Sequence, residues 1–310
     1  MKRHNLFIAV LLSAITLVGC VMQPPTPSDS TPSTPSTQAS EPTTQPTTVP
    51  TEPTTLPTTV PTEPTEPPVG WVEKDGKRFY YTEDSVMVTG WLQMGYDSYY
   101  FDADGAMAVG KRVIDGQDWY FGSDGVMILL VNPWNLMPDG YEPETITIRD
   151  GQAVDARCYE ALMQMIADCR AAGYCPQVGS SFRTMERQIY LYNRKVNYYL
   201  DKGYSQAEAE AVAGTIVARP GTSEHQLGLA VDMVSDNNWN LNESQEQNPT
   251  QIWLMENSWR YGWILRYPNE KSDVTGIIYE PWHYRYVGVT VAKEIHDSGM
   301  CLEEYLESLG

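Results

Sequence analysis

Positive charge is in short supply. The 310 residues carry 21 Lys and Arg against 40 Asp and Glu, a formal net charge of -19. Such an excess leaves no electrostatic footprint for nucleic acid and no bulk attraction for anionic polymers. Long apolar runs are missing too: the stretch from Leu6 to Val18 falls short of the roughly 20 residues that cross a bilayer. The strings Ser-x-x-Lys and Lys-Thr-Gly do not occur, which excludes the acyl-serine chemistry built on them. Cysteine numbers five, and none shares a motif with a histidine, so a thiolate–histidine nucleophile has no support. Histidine is the scarcest reactive residue, at His4, His225, His283 and His296.

What the N-terminus does hold is an export signal: Lys2 and Arg3, the apolar run, then Leu17-Val18-Gly19-Cys20, a small-residue cleavage point. This ending resembles a bacterial lipoprotein signal over residues 1–20, which implies a lipidated Cys20 and a chain held on the outer face of a membrane. An ordinary secretory signal is the alternative. Residues 21–69 are dominated by Pro, Thr, Ser, Glu and Gln, with Thr-Val-Pro-Thr-Glu-Pro-Thr occurring twice. Such a segment has too few apolar residues for a core and is expected to be a disordered, extended tether. At about 3.1 Å per residue its proline-rich part reaches on the order of 140 Å, from membrane into cell wall.

Cys158, Cys169, Cys175 and Cys301 follow Cys20. In an exported chain this even count points to two disulfides, with Cys169 and Cys175 flanking a turn and Cys158 left for Cys301. Four reduced, buried thiols are the other reading.

From residue 70 to about 130 the chain repeats with a period of 20. Gly70-Trp71 aligns with Gly90-Trp91, Phe79-Tyr80-Tyr81 with Tyr99-Tyr100-Phe101 and Trp119-Tyr120-Phe121, and Met87, Met107 and Met127 fall in register. Each unit reads as an aromatic strand, a turn at Asp104-Gly105 or Asp124-Gly125, and a short return strand. One hairpin cannot bury its own face, so neighbours must stack into a solenoid. The region resembles the choline-binding or cell-wall-binding repeats of Gram-positive surface proteins. That resemblance implies aromatic boxes for quaternary ammonium groups, with Trp71, Tyr80, Trp91 and Tyr100 at box positions and choline-bearing teichoic acid as a wall polymer to bind. Lys111 stands where the third tryptophan would be. Packing of hairpin on hairpin is the plainer use of the same aromatics.

Residues 131–310 hold the chemistry. Two motifs, Ser223-Glu224-His225-Gln226-Leu227-Gly228-Leu229-Ala230-Val231-Asp232 and Glu280-Pro281-Trp282-His283, gather two histidines and two carboxylates. A hydrolytic zinc needs three nitrogen or carboxylate ligands, an open position for water, and a base beside it. His225, Asp232 and His283 supply the ligands, and Glu280 the base. His296 sits in a mixed-charge stretch that reads as the solvated side of a late helix. Arg183 offers a planar fork for a carboxylate, and Gln188 an amide donor nearby.

The local pattern predicts a helix from Asp155 to Ala172 closed by Gly173, a capping box at Ser205 to Glu208, and a strand from Gly228 to Val234. His225 and Asp232 lie an odd number of residues apart, so a turn at Gly228 must bring them together. Ile277 to Glu280 reads as a further strand, interrupted by Pro281.

These motifs, with Val131-Asn132-Pro133-Trp134 and Tyr261-Gly262-Trp263-Ile264-Leu265-Arg266-Tyr267-Pro268, resemble the VanY-type zinc D,D-carboxypeptidases over residues 130 to 310. The resemblance implies an α+β domain, an antiparallel sheet flanked by helices, with His225, Asp232 and His283 on zinc and Glu280 as base. It also implies that Arg183, Gln188 and Ser223 hold the terminal residue of a peptidoglycan stem peptide. Release of D-Ala from pentapeptide stems and cleavage of the L,D bond of tetrapeptides both fit this set. A wall-binding lipoprotein without catalysis is the reading from another class. The expected location is extracytoplasmic, lipid-anchored, on a Gram-positive bacterium.

Overall fold

Glycine sets the phase of the aromatic repeats. A computed structural model describes residues 68–149 and 151–310; the export signal, Cys20 and the tether as far as residue 67 lie outside the described residues. Gly70, Gly90 and Gly110 each open a strand at φ 77°, 77° and 75°. These strands, β1 (Gly70–Lys74), β3 (Gly90–Met94) and β5 (Gly110–Ile114), pair antiparallel with the aromatic strands β2 (Lys77–Tyr81), β4 (Asp97–Phe101) and β6 (Gln117–Phe121). The hairpin turns therefore fall before the aromatic strand, at Asp75-Gly76 and Asp115-Gly116, where both residues take positive φ and the backbone twist matches that of the strands. This corrects the phasing expected from sequence. At Asp104-Gly105 the chain makes a tight loop instead, held by Asp104 accepting from Ala106 N at 3.0 Å. The return beyond it is a single bridge, Phe101 to Met107, and only in the third repeat a two-residue strand, β7 (Met127–Ile128). The in-register methionines interlock the units. A Cβ on Gly105 would meet Met87 Sδ at 2.4 Å, and one on Gly125 would meet Met107 Sδ at 2.3 Å.

The third repeat is seated on the last two helices, α6 (Val289–Ser298) and α7 (Leu302–Ser308). Lys111 N donates to Gly310 O at 2.9 Å. Ser123 Oγ and Tyr305 OH both donate to Glu294, at 2.7 and 2.6 Å.

Beyond the repeats, β8 (Thr145–Arg149) and β9 (Gln152–Asp155) form a hairpin leading into α1 (Ala156–Ala171). Asp155 caps this helix through Arg157 N, and Gly173 follows at φ 92°. The central sheet runs β10 (Pro176–Ser180), β11 (Ala230–Ser235), β13 (His283–Tyr286), β12 (Trp263–Leu265), antiparallel throughout. Alternation divides its faces. Val231, Met233, Tyr284 and Trp263 join the core with Leu162 and Met165 of α1 and Leu254 of α4 (Pro249–Asn257). Ile264 and Val287 pack against α6 and α7. Between strands lie a helical hairpin, α2 (Met185–Leu200) and α3 (Gln206–Gly214), the latter opening on the expected capping box, and a short helix α5 (Ser272–Thr275). The architecture is the expected α+β arrangement. No described helix is long and apolar enough to cross a membrane.

Two expectations fail. Ile277 to Glu280 forms no strand: Ile278 N bonds to Thr215 O and Glu280 N to Tyr267 O, so these donors go to separate loops rather than one ladder. The two expected pairings, Cys169 with Cys175 and Cys158 with Cys301, also fail, since Cys158, Cys169 and Cys301 are free and buried while Cys175 is disulfide-bonded. Cys158 and Cys169 lie on the core face of α1, and the Cys158 thiol donates to Asp155 O at 3.2 Å. Burial pushes Cys169 to about 12 and Cys301 to about 11. A thiol that stays protonated and buried reacts slowly. Cys158, Cys169 and Cys301 are thus expected to resist alkylation in native, unreduced protein and to react once it is unfolded; a peptide map in which any of them stays blocked after unfolding without reductant would refute this.

Candidate metal centre and active site

Asp232 is the fixed point. It lies in β11 between Ser180 of β10 and His283 of β13, each its direct register partner. Cross-strand partners project from the same face about 5 Å apart, so pairing alone puts Asp232 and His283 together. His225 arrives differently. It sits in a 3₁₀ turn, Glu224–Leu227, ended by Gly228 at φ 73°, and a Cβ on Gly228 would meet Asp155 N at 2.9 Å. Glycine is required there both for its handedness and for its lack of bulk. The turn folds His225 back over the start of β11.

The result is a tight group. Asp232 Oδ1 lies 3.3 Å from His225 Nε2 and 3.1 Å from His283 Nδ1, and ligand atoms of all three residues fall within 4.8 Å of one another. His225 Nδ1 is 2.8 Å from Ser181 O. A carbonyl only accepts, so Nδ1 carries the proton and Nε2 presents its lone pair to the cluster. Glu280 Oε2 lies 3.7 Å from His283 Nδ1. Three buried donors of this type, converging without a fourth, suit a divalent metal with one side open.

The electrostatics separate the roles. Burial raises Glu280 to about 8, the range of a carboxylate that can exchange a proton near neutrality. Burial, then the Arg183 guanidinium, lowers His225 to about 4, keeping it neutral. Burial pulls His283 down, but bonds to Asp232 and Glu224 outweigh it and lift this residue to about 9. Asp232 is desolvated as well, yet the histidines and Arg183 hold its carboxyl well below the ordinary range.

A cleft of about 330 Å³ opens over this group, its wall including Arg183, Lys195, Ser223, Tyr267 and Trp282. Arg183 spends Nε and Nη2 on Ser180 Oγ and Asp232 Oδ2. Ser223 lines the cleft directly. Gln188 does not: fully buried, it donates to Ala218 O at 2.7 Å and so braces the 216–218 segment that does. His296 lies elsewhere, stacked on Trp259 at 4.7 Å. In the repeats Trp71 meets Tyr80 at 5.2 Å and Trp91 meets Tyr100 at 5.3 Å. Each cluster is completed across the repeat boundary, by Tyr99 at 5.3 Å from Trp71 and Trp119 at 4.9 Å from Trp91. Sequence alignment within one unit misses these cross-repeat members. Tyr267, in the stretch that precedes the last motif, carries no role in the sequence reading, yet its ring lies 4.7 Å from that of His283.

Three buried residues able to hold a metal ion, beside a raised glutamate in an open cleft of an α+β domain, are the arrangement that metallopeptidase chemistry needs. Residues 151–289 match the family of VanY D-alanyl-D-alanine carboxypeptidases, and residues 69–111 match a choline-binding repeat. The chain is 45% identical over 181 residues to a D-alanyl-D-alanine carboxypeptidase of Enterococcus faecalis, an alignment that takes in 58% of this chain and 66% of that protein's length. It is similar to the crystal structure of the vancomycin resistance D,D-pentapeptidase VanY of a VanB-type cassette in complex with Zn(II), with TM-score 0.53 and 46% identity over 57% of this chain and 97% of that one. It is also similar to the LdcB LD-carboxypeptidase, with TM-score 0.53 and 32% identity over 64% and 94%. The chain belongs to the VanY D-alanyl-D-alanine carboxypeptidase family.

A raised carboxyl has a consequence for stability. Between the ordinary 4.5 and about 8 the folded protein keeps a proton that the unfolded chain has released, so stability from this group falls as pH rises through that window and changes no further above it. Thermal unfolding of metal-free Glu280→Gln should therefore gain on metal-free wild type from pH 5 to 8, and parallel pH curves would show that Glu280 is not held protonated.

Proposed function

We propose that this chain is a zinc-dependent carboxypeptidase that removes C-terminal D-Ala from peptidoglycan stem peptides, kept at the wall by its aromatic repeats. The observation that carries the reading is the convergence of His225 Nε2, Asp232 Oδ1 and His283 Nδ1 beside Glu280, in the cleft that Arg183 lines. His225, Asp232 and His283 hold the zinc. When bound, zinc supplies Lewis acidity toward the scissile carbonyl and lowers the pKa of a water to about 7. Glu280 takes the proton from the attacking water and returns it to the leaving amine, the exchange its raised pKa suits. Among the described residues Arg183 is bonded through Nε and Nη2, which leaves Nη1 for the substrate's terminal carboxylate and restricts cleavage to chain ends. Ser223 contacts the terminal residue, and Gln188 serves the same pocket by bracing its 216–218 wall.

Specificity for the D,D bond follows the family, while the L,D-carboxypeptidase relative makes the tetrapeptide the competing substrate. Mass spectrometry of penta- and tetrapeptide stems after incubation with residues 70–310 decides between them: loss of one alanine from the pentapeptide is expected, and loss from the tetrapeptide alone overturns the D,D reading. Glu280→Gln should keep zinc and lose about 10²- to 10⁴-fold in kcat, the range of a general base, whereas His283→Ala should lose the metal. Full activity in Glu280→Gln would remove it from the mechanism.

Wall attachment rests on the aromatic clusters. The Arg78 guanidinium lies 4.5 Å over the Trp71 ring, so the first cluster already holds a cation of its own. Trp91 remains 44% exposed between Tyr100 and Trp119. Retention on immobilised choline should therefore fall more for Trp91→Ala than for Trp71→Ala; equal retention of both variants and wild type would make the repeats a packed spacer. Lipidation of Cys20, and with it attachment to the membrane of a Gram-positive cell, belongs to the same proposal.

A further inference from the structure

Glu224 stands directly before a ligand histidine, is 1% exposed, and has no place in the chemistry above. Its two oxygens face opposite ways. Oε1 accepts from Arg266 Nε at 2.7 Å and Arg285 Nη1 at 2.8 Å. Oε2 lies 3.5 Å from His283 Nε2, and these two atoms are buried with no other partner. Both arginines are themselves fixed from behind, Arg266 by Glu303 at 2.6 and 2.8 Å and Arg285 by Leu129 O at 2.8 Å. Leu129 directly follows β7, so the third repeat is tied by one arginine to the carboxylate that faces His283.

The geometry assigns Glu224 as a positioning residue that fixes the tautomer and ring orientation of His283. A buried carboxylate beside Nε2 can only accept, so it keeps a proton there, and Nδ1, which faces Asp232 and Glu280, is the nitrogen that would give up its proton to hold a metal. The two ligand histidines are thus oriented in complementary ways: His225 through a backbone carbonyl on Nδ1 and His283 through a side-chain carboxylate on Nε2. The clamp of two arginines on Oε1 explains how a carboxylate can be rigid enough for this task. This inference rests on the zinc reading and concerns only how one ligand is held.

The test is zinc affinity, measured by competition with a chromophoric chelator on residues 70–310, with the Co(II) absorption spectrum as a second readout. Glu224→Gln keeps an acceptor for the arginines but turns an amide donor toward Nε2, which favours the wrong tautomer. Glu224→Asp keeps the charge the arginines need and withdraws the carboxylate from the ring, so it tests the same contact should the glutamine variant fail to fold. Glu303→Gln disturbs the far side of Arg266 without touching His283. Removing an outer-shell partner of a metal ligand typically weakens binding roughly 10- to 100-fold. We expect a loss of that size and an altered Co(II) spectrum in both Glu224 variants, with zinc affinity unchanged in Glu303→Gln. Wild-type affinity and spectrum in either folded Glu224 variant would overturn the assignment, as would an equal loss in Glu303→Gln. Wild-type protein that itself binds no zinc would instead overturn the reading beneath it.

Discussion

The pairing of β11 with β13 is the constraint on which the rest of the site depends. Asp232 opposite His283 brings two of the three candidate ligands together, and because side chains alternate along a strand, a slip of β13 by one residue would send His283 into the face that Val231, Met233 and Tyr284 now fill. That apolar face is what makes such a slip costly. Packing against α1 and α4 thus enforces a register whose chemical product appears on the opposite side of the sheet. Ser180, the partner of Asp232 on β10, adds the third neighbour and receives Arg183.

Behind the ligands lies an ion network of an uncommon kind for so acidic a chain. Arg266 and Arg285 are 0% and 1% exposed, and removing one member of a buried pair typically costs about 3–5 kcal/mol because the other is left desolvated. Each charge here is met: Glu224 between the two arginines, Glu303 beyond Arg266. Arg183 belongs to the same pattern, balancing Asp232 at 2.8 Å.

The repeats and the metal centre are joined more closely than their compositions imply. Lys111, which departs from the tryptophan of the other units, lies at the strand whose backbone bonds to Gly310, and its ammonium pairs with Asp118. The third unit thus has a lysine where the other two have tryptophan, and is the one seated on α6 and α7. Leu129 then carries the chain from β7 into the catalytic region and accepts from Arg285, so the end of the repeat stack is tied to the ion network behind His283.

Much of this was legible in the residues. Scarcity made the histidines informative, since His225 and His283 recur in motifs with carboxylates while His296 stands in a solvated helix; Gly173 and the Ser205 box marked helix ends because they act locally. The period of 20 announced stacked hairpins, although its phase was misread, because a repeat fixes spacing and not which of two glycine-bearing turns closes the hairpin. Ile277 to Glu280 and the cysteine pairing differ from expectation for a related reason: an apolar run resembles a strand until its donors are seen to go elsewhere, and an even cysteine count does not say which thiols meet, Cys158 and Cys169 both pointing into the core from α1. Gln188, Glu224, Tyr99 and Trp119 were decided by tertiary structure alone. Sequence by itself determined which groups were available to hold a metal and move a proton. Which atoms of those groups face one another, and what holds them there, came from strand register and buried charge pairing, which act between residues far apart in the chain.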